Sequence, residues 1–147
     1  MKFTHSSAGL GALSGLLLLA IAHAADPASP VGQWRTIDDQ SGKPKSIVQI
    51  TEDNGVLTGK IVQLLEGATE QTCSKCEGEL KDKPLVGMKI LWDLRKEGNE
   101  WANGKIFNPA DGGTYTSKAR LTDSGKTLEV TGRWMVFSKQ QKWQRVD

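Results

Sequence analysis

From Tyr115 onward, apolar or small side chains fall on every second position. Tyr115, Ser117, Ala119 and Leu121 alternate with Thr116, Lys118 and Arg120, and Leu128, Val130, Gly132 and Trp134 alternate with Thr127, Glu129, Thr131 and Arg133. Successive side chains of a strand point to opposite faces, so this spacing predicts two strands with one inner and one wet face each. Turn signals recur at Ser41-Gly42-Lys43-Pro44, Asp53-Asn54-Gly55, Glu97-Gly98-Asn99, Asp111-Gly112-Gly113 and Asp123-Ser124-Gly125. The segments between them are rich in β-branched and aromatic residues, the pattern of an antiparallel meander. Eight strands are predicted, over residues 31–37, 46–51, 56–65, 88–93, 100–107, 114–121, 127–134 and 137–146. After residue 24 no stretch sustains the i, i+3, i+4, i+7 apolar spacing of a long helix. The predicted fold is therefore all-β, an eight-stranded antiparallel up-and-down barrel, because closure removes the exposed edges of an open sheet. A two-sheet sandwich is the alternative.

The first 24 residues follow a different pattern. Lys2 precedes an apolar run from Leu10 to Ala22 that ends in Ala22-His23-Ala24, which has the three parts of a secretory signal peptide, with cleavage expected after Ala24. The run is shorter than the ~20 residues a spanning helix needs, so no membrane insertion is expected once the leader is removed. Residues 25–30 read as a short N-terminal segment and residues 31–147 as the barrel domain. The expected location is periplasmic or secreted.

Charge and composition narrow the chemistry. The whole chain has 19 basic and 17 acidic residues; cleavage removes Lys2 and no acid, leaving 18 and 17. So balanced a surface offers no overall electrostatic footprint for nucleic acid or an anionic membrane. Both histidines, His5 and His23, lie in the leader. Without an imidazole the mature chain cannot build a Ser-His-Asp or Cys-His nucleophile or a histidine zinc site. The adjacent pair Asp38-Asp39 would point to opposite faces of a strand and suits a turn better than acid–base work. The chain is not expected to be an enzyme, and no cofactor is expected.

In a closed barrel the first and last strands are neighbours. Trp34 in the first can then meet Arg145 in the last, where a guanidinium across an indole closes one barrel end. On the last strand Ser138, Gln140, Lys142 and Gln144 suit the solvent face, which points Phe137, Lys139, Gln141, Trp143 and Arg145 inward. Polar inward groups need partners, and a wet or ligand-holding cavity supplies them. A bulge would instead turn Lys139 to water. Trp92, Trp101 and Tyr115 lie on central strands and, with Lys139 and Gln141, are the candidate ligand-binding residues.

A wider set of motifs carries a resemblance. These are G-x-W-x-T-x-D-D (Gly32 to Asp39), S-I-V-x-I (Ser46 to Ile50), G-x-L-x-G-K-I-V (Gly55 to Val62), C-x-x-C (Cys73 to Cys76), K-D-K-P-L-V-G-M-x-I-L (Lys81 to Leu91), N-P-x-x-G-x-x-Y (Asn108 to Tyr115), L-x-V-x-G (Leu128 to Gly132) and a W-x-R end (Trp143 to Arg145). Together they resemble a family of exported bacterial proteins, a domain of unknown function, with a lipocalin-like, calycin-type barrel. The resemblance implies a lipocalin-like barrel in the cell envelope and no established activity. In that family the residue before the proline is often Asp, where this chain has Asn108, and the last turn often reads G-R-T-Q, where this chain has Ser138-Lys139-Gln140-Gln141.

Cys73 and Cys76, the only cysteines, fall in a connection over residues 66–85 that is long for a compact barrel and suits a lid over its mouth. One C-x-x-C supplies two of the four ligands a tetrahedral zinc requires, and an all-β chain lacks the helix N-terminus that activates a redox pair. An intramolecular disulfide is the default in an oxidising compartment; zinc shared between two chains and a redox pair are the alternatives. The expected function is binding of a small apolar or amphipathic molecule inside the barrel. The alternative is a loop-mediated interaction or inhibitor module with an envelope protein as partner.

Overall fold

The computed structural model describes residues 26–146; the expected signal peptide lies outside the described residues. Eight strands follow in order: β1 (Gly32–Ile37), β2 (Pro44–Asp53), β3 (Val56–Leu64), β4 (Lys89–Glu97), β5 (Glu100–Asn108), β6 (Gly113–Thr122), β7 (Thr127–Trp134) and β8 (Phe137–Arg145). Each pairs antiparallel with the next, and β8 returns to β1 with Trp34 opposite Arg145 and Arg35 opposite Gln144. The barrel is closed, so the sandwich alternative does not apply. The helical content of the described residues is two short 3-10 turns, Gly78–Leu80 and Asp123–Gly125, and no helix there is long and apolar enough to cross a membrane.

The alternation along β6 and β7 sorts as their pattern predicts up to Gly132, whereas Trp134, expected on the inner face, is 56% exposed beside the β7–β8 turn. Ser117, Ala119, Leu128 and Val130 are buried while Lys118 and Arg120 are exposed. On the outer face Arg120, directly opposite Glu129, binds its carboxylate at 2.9 Å.

β4 and β5 depart from strict alternation. Leu57 pairs with Leu94 and Gly59 with Leu91, so two residues of β4 oppose one of β3. Opposite β6 the same happens on β5, where Ala102 and Asn103 stand against Lys118 alone. Asp93 and Asn103 carry the bulges with φ of 60° each, a conformation to which Asp and Asn are better suited than most residues. The bulged strands approach closely: a Cβ on Gly104 would sit 2.6 Å from Leu94 Cγ and from the Trp92 carbonyl oxygen.

The strand directions divide the barrel into two ends. The lower end holds the start of β1, the end of β8 and the tight turns after β2, β4 and β6; it is filled by Trp34, Ile50, Leu57, Leu94, Trp101 and Leu128, all buried. Arg145 closes it, with its guanidinium 4.3 Å from the Trp34 ring and hydrogen bonds to the carbonyls of Gly125, Ser29 and Val31. The upper end gathers the connections after β1, β3, β5 and β7, of which the β3–β4 connection is by far the longest.

Candidate functional site

The upper half of the barrel is built from smaller side chains than the lower half, and this leaves room. Thr36, Ser46 and Gly132 stand where large apolar groups stand below, and Thr36 and Ser46 satisfy each other at 2.7 Å between hydroxyls. The result is a cavity of about 480 Å³. Ile61, Val130 and Trp143 reach its depths, and Leu64, Leu85, Ile90, Ile106 and Phe107 add apolar wall. Polar side chains ring the way in: Lys45, Glu70, Asp111, Tyr115, Lys139 and Gln141.

Three of the five candidate ligand residues, Tyr115, Lys139 and Gln141, thus line the cavity. Trp92 and Trp101 do not. Trp92 pairs with exposed Lys105 on the outer side of the bulged wall, where the Lys89 ammonium sits 5.4 Å from its ring. Trp101 is buried among the lower-end side chains, with Lys96 at 4.9 Å. Both strands reset their alternation at the bulges, so central position alone could not place these indoles.

On β8, Gln141 spans two roles: its Oε1 accepts from Trp143 Nε1 at 3.2 Å and its Nε2 donates to Asp39 Oδ2 at 3.0 Å. Lys139 ion-pairs with that same Oδ2 and is largely exposed. Partial burial of Asp39 at the rim raises its pKa, but the hydrogen bonds from Lys139 and Gln141 outweigh it, and the carboxyl stays below its ordinary range. The β1–β2 loop is thereby tied to β8 across the mouth. Neighbouring Asp38 caps its own turn, accepting from Ser41 N and Oγ at 2.8 Å each, and these bonds lower its pKa. The two adjacent carboxylates do different jobs.

A second rim cluster lies on the β5–β6 turn. Asp111 Oδ2 accepts from Tyr115 OH at 2.7 Å and from Asn108 Nδ2 at 3.0 Å, while Oδ1 accepts from Gly113 N at 2.7 Å. The hydrogen bond to Asp111 raises the Tyr115 pKa above the ordinary phenol value. The N-P-x-x-G-x-x-Y motif is thus a turn that holds its own tyrosine. Asp111 was not among the candidate residues, although its place inside that motif signalled it.

The β3–β4 connection lies against this turn. Cys73 and Cys76 form a disulfide and are buried, so the pair is neither a metal clamp nor an exposed dithiol here. Cys73 N donates to Lys83 O, Leu85 N to Gln71 O and Gly87 N to Ile61 O, which folds the connection back onto the barrel. Gly112, at φ 72°, makes the contact possible: a Cβ there would lie 2.3 Å from the Lys75 carbonyl oxygen. Ala68, Thr69, Glu70, Thr72, Lys75 and Leu85 of the connection line the cavity. Among the described residues no cluster of three or more His, Cys, Asp or Glu side chains converges as metal ligands would.

An eight-stranded closed barrel with a cavity opening at one end defines a lipocalin-like protein. The family model described as an uncharacterized protein conserved in bacteria (DUF2147) matches residues 32–145, and the chain belongs to that family. Among solved structures it is similar to HP1028 from the human pathogen Helicobacter pylori, described as belonging to the lipocalin family. The TM-score is 0.67 at 24% identity, covering 80% of this chain and 82% of that one. Among curated proteins, none matches.

Proposed function

We propose that this protein is an exported carrier that binds one small apolar or amphipathic molecule in the upper cavity of its barrel. The observation that carries the reading is the graded lining of the cavity, apolar in its depths at Ile61, Val130 and Trp143 and polar at its rim at Lys45, Tyr115, Lys139 and Gln141. Its volume of about 480 Å³ lies within the range of roughly 300–1,000 Å³ usual for small-molecule sites. An apolar chain would displace water from the depths while a polar end meets the rim, the division of contacts expected of such sites. The signal-like leader supports a periplasmic or secreted location. Burial of Cys73, Cys76 and Leu85 against the barrel weighs against a loop built chiefly to engage an envelope partner.

Native mass spectrometry of protein purified from periplasm, together with tryptophan fluorescence during fatty-acid titration, tests the reading. Bound mass released by organic solvent and a saturable fluorescence change at one molecule per chain are expected. Protein that carries no adduct and shows no saturable response would end it.

A further inference from the structure

The turn between β7 and β8 is apolar and largely exposed, with Trp134 and Phe137 also lining the cavity. Trp134, Met135, Val136 and Phe137 are 56%, 72%, 83% and 68% exposed, and they follow one another at the edge of the cavity mouth. A two-residue hairpin turn with positive φ at its first central position alone favours glycine there. Here Met135 takes φ of 50° and β-branched Val136 follows it. Local turn chemistry and solubility both argue against this sequence, so its retention at the tip points to a use.

We infer that this hairpin tip inserts into the interface of an anionic phospholipid bilayer, docking the cavity mouth on the membrane. Trp134 and Phe137 stack at 6.4 Å as a paired aromatic base, suited to headgroup depth, where aromatic rings concentrate. Met135 and Val136 project beyond them. The nearest charges along the chain are basic: Arg133, whose Nε holds the Met135 carbonyl at 3.0 Å, and Lys139. From Gly132 to Gln141, the stretch at the upper end, the chain has two basic residues, Arg133 and Lys139, and no acid. Beside the tip this complements lipid phosphate, with Asp39 across the rim offsetting part of the Lys139 charge and Glu70 and Asp111 standing elsewhere on the rim. Four residues at a tip fall well short of the ~1,200 Å² that a stable protein interface buries. A bilayer imposes no such threshold, because binding strength there grows with the apolar area inserted. The docking does not depend on the cavity holding a ligand.

Cosedimentation with vesicles tests this directly. The full mature protein should bind mixed phosphatidylethanolamine and phosphatidylglycerol vesicles, bind phosphatidylcholine vesicles more weakly, and release as salt rises. Met135→Gly with Val136→Ser gives the turn the glycine its positive-φ first position prefers, so the variant should melt no lower than the native protein while its vesicle affinity falls by about tenfold or more. Neither residue lines the cavity. Native protein that ignores anionic vesicles, or a variant that binds them equally well, would overturn the inference. Self-association abolished by the same substitutions, without vesicle binding, would also overturn it and assign the tip to a second copy of the chain.

Discussion

The Arg145 guanidinium lies 4.3 Å from the centroid of the Trp34 indole, and the two residues face each other across the β1–β8 seam that closes the barrel. Trp34 in turn donates its Nε1 proton to the Pro30 carbonyl at 2.8 Å, so strand closure, aromatic burial and the N-terminal segment are fixed at one place. A guanidinium suits this position because it is planar and carries several donors in fixed directions, whereas an ammonium is a compact point charge.

Arg145→Lys is therefore expected to cost about 2–3 kcal/mol, since hydrogen bonds to the carbonyls of Gly125, Ser29 and Val31 cannot all be kept from one nitrogen. Urea unfolding of the two proteins measures the difference. A loss below about 0.5 kcal/mol, the scale of an ordinary surface change, would mean that the seam does not rely on this contact.

Gly112 makes a second separable contribution. An alanine there incurs the positive-φ penalty of about 1–2 kcal/mol and also meets the Lys75 carbonyl oxygen. Gly55 has a similar φ of 79°, and a methyl group added there would meet nothing within 4 Å, so Gly55→Ala carries the backbone penalty alone. Gly112→Ala should be the more destabilising of the two, and hydrogen exchange should quicken across residues 69–85 only in that variant. Equal losses and unchanged exchange would show that the connection is held elsewhere.

Much of this fold is legible in the sequence because each strand follows the physics of a half-buried surface. Alternation over residues 115–121 and 127–132 assigned inner and outer faces, failing only at exposed Trp134, and the G-x-W start with the W-x-R end anticipated the seam. The site is less legible because it depends on where alternation breaks. The positive φ of Asp93 and Asn103 resets the faces of β4 and β5, leaving Trp92 half-buried against the wall and away from the cavity, and Trp101 at the lower end. A run of period two carries no mark of such a reset. The rim cluster of Asp39, Lys139 and Gln141 joins residues about a hundred positions apart, and only the closed topology brings them together.

The disulfide closes a small ring, for which loop entropy gives on the order of 2 kcal/mol. Replacing Cys73 and Cys76 together by alanine should lower stability by about that amount and leave the barrel folded, because the backbone bonds from Cys73 to Lys83 and from Leu85 to Gln71 remain. Circular dichroism should keep its β signature while exchange in the connection rises. Loss of the folded barrel would mean that the buried cystine holds the upper wall as well as shaping the connection.

Tyr115 is the only tyrosine in the chain, so its ionisation can be followed without interference by ultraviolet difference absorbance. Ionising it would forfeit the hydrogen bond to Asp111 and place a phenolate beside that carboxylate, and the pKa is accordingly raised from its ordinary value of 10.0. A proton held more tightly in the folded than in the unfolded chain stabilises the fold at pH values below the unfolded pKa. That contribution fades as pH climbs through the higher folded value. The native phenol should therefore titrate above 10.0, and Asp111→Asn should bring the midpoint down, because the amide leaves no negative charge to oppose ionisation. The same variant should flatten the stability curve on its alkaline side while leaving neutral-pH ultraviolet absorbance unchanged. A native midpoint at or below that of free tyrosine would show that the Asp111 hydrogen bond does not persist in solution, and with it would go the fixed tyrosine on this side of the cavity mouth.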